Sequence, residues 1–423
     1  MWCQPIHKGV DEVSVLSKEV HISKIDEGGI TTPKGFSAVG VHTGVKRKRN
    51  DLGAIFSDVP CSAAAVYTLN KMQAAPLKVT QESIQKDGKI QALVVNSGNA
   101  NACTGQKGLE DAYKMRHLSA VHFGIEDHLV AVTSTGVIGE FLQMDKIEKG
   151  ITQLVPSSTK EAAYAFNQAI LTTDTIQKHT CYQTSIDGEC ISIGGVAKGS
   201  GMIHPNMATM LSFITTDANI EHDILQAALS SITNKTFNRI TVDGDTSTND
   251  MVVVMASGLA NNQPLTPSHP DWDAFYQALE AACEDLSKLI ARDGEGASKL
   301  IEVQVNGAKN DEEAGKIAKQ IVGSDLVKSA VYGTDANWGR IICAIGYSEC
   351  DINPDTIDIG IGPIKTLESS SPLAFSEEEA TAYMKENDTV IISVDLHVGE
   401  GFGKAWGCDL TYEYVRINAG YRT

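Results

Sequence analysis

The chain has 423 residues, 42% hydrophobic and 21% charged, an ordinary globular balance that suits two or three domains, or one large layered domain with a smaller one. A formal net charge of −18 argues against nonspecific nucleic-acid binding, which needs clustered Lys and Arg to displace counterions from phosphates. Nine scattered cysteines with no CxxC pair support neither a zinc knuckle nor a dithiol redox site, and suit a reducing compartment.

The short basic run Lys46–Arg49 reads as a solvated loop. The first twenty residues hold Lys8, Asp11, Glu12 and Glu19 without an apolar stretch, so they do not read as a secretory leader. No apolar run approaches the length that spans a bilayer. A soluble, cytoplasmic protein with no membrane partner is expected.

Residues 1–27 read as a variable lead-in. Small and apolar residues alternate over Gly28–Gly40 between turn formers, which suits early strands, and Leu52–Val59 and Ala63–Leu69 continue as strands. Ile90–Val95 is an apolar strand that runs into Asn96-Ser-Gly-Asn-Ala-Asn-Ala-Cys-Thr-Gly105. That segment has no large side chain, and reads equally as a loop of Asx turns or as a backbone-rich binding surface.

Helices are predicted over Leu109–Phe123 and Gln143–Leu154, the second with Asp145 as a candidate N-cap. Between them an apolar strand from Leu129 breaks at Thr133-Ser-Thr-Gly136. A strand ending in Ser/Thr-Gly offers backbone N–H groups of the kind that build an oxyanion hole; the plain alternative is a turn. Ser158 with Glu161 marks a capped helix to Leu171, and Asp187-Gly188 marks a hairpin between Thr184–Asp187 and Glu189–Ile193.

The stretch Lys198-Gly-Ser-Gly-Met-Ile-His-Pro-Asn-Met-Ala-Thr-Met-Leu-Ser-Phe-Ile214 starts as a glycine-loosened loop and ends as an apolar strand. Thr209 stands at the mouth of that strand as a candidate nucleophile; the plain alternative is a hydroxyl bonded to nearby backbone. A helix over Glu221–Ile232 follows, then strands over Asn238–Val242 and Met251–Ala256. They flank Asp243-Gly-Asp-Thr-Ser-Thr-Asn-Asp250, whose carboxylates suit either a hard cation or turn and cap roles.

Asn261–Asp271 reads as a surface connector and Trp272–Arg292 as a long amphipathic helix, with Gly294 as a candidate C-cap. Glu295, between two glycines just beyond that helix, is oddly placed for a merely solvated carboxylate. A strand over Leu300–Val305, a helix over about Asp311–Val322, a polar segment over Tyr332–Arg340 and a helix capped by Ser376 and Glu379 come next. Val390–Val398 and Lys404–Tyr412 are expected to pair as a hairpin. Strands and helices mix without strict alternation, which favours layered α+β over a doubly wound sheet.

The segments Asn96–Ala102, Ser134–Gly139, Lys198–Gly201, His204–Leu211, Asp243–Asp250, Asp293–Gly296 and Asn418–Thr423 together resemble the ornithine acetyltransferase (glutamate N-acetyltransferase) family of arginine biosynthesis, from about Gly28 to the last residue. The resemblance implies a four-layer α-β-β-α core with a smaller α/β C-terminal domain from about residue 300. It implies self-cleavage between Ala208 and Thr209 into an alpha chain of residues 1–208 and a beta chain of residues 209–423, two copies of each assembling as a heterotetramer. Thr209 becomes the N-terminal nucleophile. Thr135 and Gly136 match the family's oxyanion hole, and Thr172, Lys198, Thr209, Glu295, Asn418 and Thr423 its substrate-binding positions; Thr173 and Thr175 lie close enough to compete with Thr172.

The expected reaction moves acetyl from N2-acetyl-L-ornithine to L-glutamate through an acetyl-Thr209 intermediate. A bare Thr hydroxyl is a poor nucleophile, and the α-amine freed by cleavage, with a reference pKa of about 7.7–8.0, supplies the base. No cofactor or metal is expected, and acetyl-coenzyme A is left open as a second acetyl donor. Three competing readings stand beside it: an N-terminal-nucleophile amidohydrolase or aminopeptidase, a metal-dependent phosphotransferase on Asp243, Asp245 and Asp250, and a catalytically silent scaffold.

Overall fold

The computed structural model describes residues 20–204 and 210–420. Ala208, Thr209 and Thr423 therefore lie outside the described residues. In chain order the strands of the first half are β1 (Ile22–Lys24), β2 (Phe36–Val41), β3 (Leu52–Tyr67), β4 (Lys89–Asn99), β5 (Val130–Val137), β6 (Lys178–Ile186), β7 (Glu189–Lys198) and β8 (Leu211–Thr216). They are followed by β9 (Ile240–Thr241), β10 (Met251–Ala256), β11 (Leu300–Ala308), β12 (Asp358–Ile361), β13 (Ile364–Glu368), β14 (Ser371–Pro372), β15 (Thr389–Asp395) and β16 (Gly401–Cys408).

Nine of these form one sheet in the order β1-β6-β7-β8-β10-β3-β4-β5, with β2 also on β3. The alternation of side chains along its strands sorts them into layers. Val252 and Val254 of β10 enter a core shared with Leu225 and Leu229 of the helix His222–Lys235 and with Phe275, Leu279 and Leu286 of the helix Trp272–Arg292. Val253 and Met255, on the opposite face, meet Phe213 of β8 and Leu93 and Val95 of β4. Ala92 and Val94, on the far face of β4, pack with Met115 and Ile147 of the helices Gly105–Phe123 and Met144–Ile151. The sheet thus folds back on itself between two helical layers, in the mixed α+β class expected. The long β3 makes the turn: its pairing with β4 slips between Phe56 and Cys61, and it joins β4 on one side and β10 on the other. A strand covered on both faces must be apolar throughout, which is why Met251–Ala256 carries no polar residue.

The second sheet, of seven strands, runs β14-β13-β12-β15-β11-β16-β9 and closes its own core with the helix Asp311–Val322. Its one strand from before residue 300 is β9, which pairs with β16 through Ile240 and Trp406.

Several local expectations are corrected. The lead-in contributes β1, which pairs with β6 through Ile22 and Thr184. The two early strands before Leu69 are one, because the slip at Phe56 bends the strand without ending it. The helix beginning at Lys160 is capped by Thr159, which accepts from the Ala162 N–H at 3.2 Å, and not by Ser158. Asp145 lies inside the first turn of its helix, where a negative charge suits the helix dipole, and not at the cap.

The Trp272–Arg292 helix ends through Asp293 with no left-handed residue, so Gly294 is no C-cap; a Cβ there would meet Cys408 Sγ at 2.6 Å. The polar stretch around Tyr332–Arg340 holds the end of one helix, Asp325–Tyr332, and the start of another, Trp338–Gly346. Finally, β15 and β16 do not pair with each other. Each lies against β11, one parallel and one antiparallel, so β11 runs between them and uses both of its backbone edges. The hairpin at Asp187-Gly188 is as expected, with φ of 54° and 82° at those two residues.

Candidate active site

A cavity of about 260 Å³ opens where β4, β5, β7, β8 and the segment before β10 converge. Its walls include Thr135, Gly136, Thr172, Lys198, Glu295 and Asn418, so the described residues among the expected site positions all come to one place. Thr173 lines it as well, and Thr175 instead bonds Asp293. Met210, which follows Thr209 in the chain, is also a wall residue.

The oxyanion candidates sit in β5, which does not break at Ser134–Gly136 as the sequence suggests. It continues to Val137 because β4 holds it, and the register between the two slips at Gly98 and Asn99, opposite Thr135 and Gly136. Gly136 has φ of 133°, and a Cβ there would lie 2.3 Å from the Gly98 carbonyl carbon, so only glycine fits. The Asn-rich segment that ends β4 and runs beyond it is scaffolding. Asn96 donates to the Asn99 carbonyl at 2.9 Å, Asn99 to the Glu140 and Phe141 carbonyls, and Asn101 to the Gly108 carbonyl at 2.8 Å. Asn249 completes it by donating to the carbonyls of Ala100 and Ser134, at 2.5 and 2.8 Å.

Lys198 is the last residue of β7 and pairs across to Leu211 of β8; Met251 of β10 pairs with Leu211 from the other side. The residue is only 9% exposed, and among the described residues no carboxylate lies within ion-pair distance of its ammonium. Such a cation at a cavity wall suits a substrate carboxylate. Beneath it, Asp174 accepts from the Gly199 N–H at 2.7 Å, the Thr172 N–H at 2.9 Å and the Lys178 ammonium at 2.7 Å. Burial would raise the Asp174 carboxyl; the Lys178 and Lys198 ammoniums outweigh it and hold the group well below the usual carboxylate range.

Glu295 is held by its backbone, whose N–H donates to the Ser200 carbonyl at 2.9 Å, and by Asn418, which donates to Oε2 at 2.9 Å. Asp243 accepts from the N–H groups of Met202 and Ile203, at 2.6 and 2.8 Å, and from the Tyr414 hydroxyl at 3.3 Å. Asp250 is different. It is 3% exposed, its Oδ2 has no hydrogen-bond partner, and burial pushes its carboxyl well above the usual range, against weaker pulls from Ser247 and Lys198. His204 precedes residues 205–209 and accepts or donates at Nδ1 with Thr241 Oγ1 at 2.9 Å; burial and nearby Lys319 and Lys328 push it down to about 4, so it is neutral at pH 7.

Among the described residues Asp243, Asp245 and Asp250 do not bring ligand atoms within 4.8 Å of one another; Asp243 accepts from backbone, and burial raises the Asp250 carboxyl. Asn249 and Asp250 belong to a motif the sequence singled out for either a hard cation or turn and cap roles, and not for support of the strand that carries Thr135. Asp174 and Lys178 gave no signal, and Asp293 was singled out only within the Asp293–Gly296 segment; a lysine and an aspartate four residues apart look like solvated charges, and nothing local pairs them with an aspartate 115 residues on.

Fold and cavity together define an α+β enzyme for small polar substrates, and among the described residues no helix is long and apolar enough to cross a membrane. The chain belongs to the ArgJ family, whose model matches residues 37–423, and it is an acyltransferase of arginine biosynthesis. A relative from Halalkalibacterium halodurans, named arginine biosynthesis bifunctional protein ArgJ, is 72% identical over 411 residues, which is 97% of this chain and 100% of its own. One of the same name from Geobacillus kaustophilus is 64% identical over the same span. A crystal structure of ArgJ from Bacillus halodurans is 77% identical with a TM-score of 0.50, and covers 50% of this chain and 100% of its own.

Proposed function

We propose that the chain cuts itself between Ala208 and Thr209 and then transfers acetyl from N2-acetyl-L-ornithine to L-glutamate through an acetyl ester on Thr209. The observation that carries this reading is the convergence of Thr135, Gly136, Thr172, Lys198, Glu295 and Asn418 on the cavity that Met210 also lines. Two further facts support cleavage. The Ala208–Thr209 bond divides the 423 residues almost in half, and the crystallised relative matches half of this chain with the whole of its own.

In the intact chain the Thr209 hydroxyl attacks the Ala208 carbonyl carbon, and the amide nitrogen leaves with a proton. Water then hydrolyses the resulting ester and releases the Ala208 carboxylate. The freed Thr209 amine, with an ordinary pKa of about 7.7–8.0, next takes the proton of its own hydroxyl. That oxygen attacks the acetyl carbon of acetylornithine, the tetrahedral oxyanion rests on Thr135 and Gly136, and ornithine leaves protonated. Each such donor typically lowers the barrier by about 2.7–4 kcal/mol. The glutamate amine then attacks the acetyl ester by the reverse sequence. Lys198 receives the substrate carboxylate, and Glu295 with Asn418 faces its amino end; Thr423 belongs to the same set.

Relatives that carry the word bifunctional favour a second acetyl donor, which we take to be acetyl-coenzyme A. We place the enzyme in the cytoplasm as two alpha and two beta chains. The test is an acetyl-transfer assay on the purified protein and on Thr209→Ala. The reading expects transfer that requires glutamate and vanishes in the variant; release of free acetate at the same rate without glutamate would make the protein a hydrolase.

A further inference from the structure

Lys178 is fully buried, and its ammonium makes two ion pairs, with Asp174 at 2.7 Å and Asp293 at 2.5 Å. None of the three lines the cavity. Each of the two carboxylates, however, reaches a different set of wall segments. Asp174 binds the N–H groups of Thr172 and Gly199. Asp293 accepts from both the N–H and the hydroxyl of Thr175, and its carbonyl accepts from Ser200 Oγ at 2.7 Å. The Ser200 carbonyl in turn receives the Glu295 N–H. One ammonium therefore joins the segments that carry Thr172, Lys198 and Glu295, which come from three separate parts of the sequence.

A buried ion pair is poor evidence for stability, since desolvating two charges can cost more than their attraction returns. Two carboxylates against one ammonium also leave the group with one excess negative charge directly behind Lys198. The arrangement makes more sense as a device of placement than as one of stability.

We propose that Asp174, Lys178 and Asp293 form a positioning unit for the catalytic cavity, fixing the wall segments of Thr172, Lys198 and Glu295 relative to one another and holding Lys198 where a substrate carboxylate is received. Lys178 touches no substrate; it acts through the two aspartates. The proposal rests on the reading of Lys198 as carboxylate receptor, and the experiment separates the two.

The test uses the full-length enzyme and compares Lys178→Met, the charge-matched Lys178→Met/Asp293→Asn, and Asp293→Asn alone, with Lys198→Ala as reference. Melting temperature, kcat and KM are measured with N-acetylornithine and with its analogue lacking the α-carboxylate. The unit predicts that a folded variant raises KM for N-acetylornithine by about tenfold or more, with a smaller change in kcat, and lowers kcat/KM for the carboxylate-free analogue by a clearly smaller factor than for N-acetylornithine. Should Lys178→Met fail to fold, Asp293→Asn, which keeps an acceptor for Thr175, carries the same expectation at a smaller fold-change. A change confined to melting temperature and the amount of active enzyme, or an equal loss with both donors, overturns the proposal. If Lys198→Ala itself leaves KM unchanged, the carboxylate reading falls; if Lys198→Ala raises KM while the triad variants do not, the positioning unit falls alone.

Discussion

Asn418 donates its side-chain amide to Glu295 Oε2 at 2.9 Å, joining the C-terminal helix Tyr412–Gly420 to the turn that follows the helix Trp272–Arg292. From the other side Gly201 presses on the same carboxylate: a Cβ there would stand 2.4 Å from Glu295 Cδ. Gly201→Ala should therefore push the carboxylate out of its place while the fold survives, because only the end of a side chain has to move. The expected result is a fall in kcat/KM of about tenfold or more with the melting temperature within a few degrees of the wild type. Combining it with Glu295→Ala should add little further loss, since both act on one group. Full additivity would show that Gly201 matters for another reason.

Gly136→Ala is a different kind of change. A Cβ there meets backbone, the Gly98 carbonyl carbon and the Asn99 nitrogen, within 2.5 Å, and neither can yield without parting β4 from β5. Strained backbone of this sort costs about 1–3 kcal/mol. Thermal unfolding should show that loss, together with loss of transfer activity. Asn249→Ala, which removes the bonds to Ala100 and Ser134, should lower kcat more than it raises KM, because it loosens the strand carrying Thr135. An unchanged kcat would detach Asn249 from the oxyanion site.

Asp250 gives a prediction in pH. Burial raises its carboxyl well above the usual carboxylate range in the folded protein, whereas in the unfolded chain it ionises above about pH 4. The folded state thus holds more protons than the unfolded one, and stability falls as pH rises from there toward the folded value. Asp250→Asn cannot ionise and escapes that loss. Its gain in melting temperature over the wild type should be small at pH 4 and larger at pH 8. A gain that is equal at both, or that shrinks with pH, would mean that Asp250 is ionised in the folded protein.

Much of this was legible from sequence where the cause is local. The unbroken apolar run Met251–Ala256 reads as a strand and is one, buried along its whole length, and Ser376 with Glu379 caps its helix as written, accepting from the Glu379 N–H. The wall positions Thr135, Gly136, Thr172, Lys198, Glu295 and Asn418 came from the resemblance of motifs such as Ser134-Thr-Gly136 to the family. What escaped is nonlocal. Nothing near β15 or β16 says that β11, some ninety residues earlier, will part them. Nothing beside Lys178 announces that Asp293 will lie 2.5 Å from it. Gly294 looked like a helix terminator because glycine often is one; here it is small because Cys408 of the second sheet crowds it.

The central claim is that the chain severs itself before Thr209 and works through the terminus so exposed. Intact-mass measurement of the purified protein under denaturing conditions tests this directly. The account predicts two polypeptides in equal amount, one ending at Ala208 and the other beginning at Thr209, and a single uncut polypeptide for Thr209→Ala. An active wild-type protein that remains one chain of 45.3 kDa, or a Thr209→Ala variant that is still cut at that bond, would contradict it.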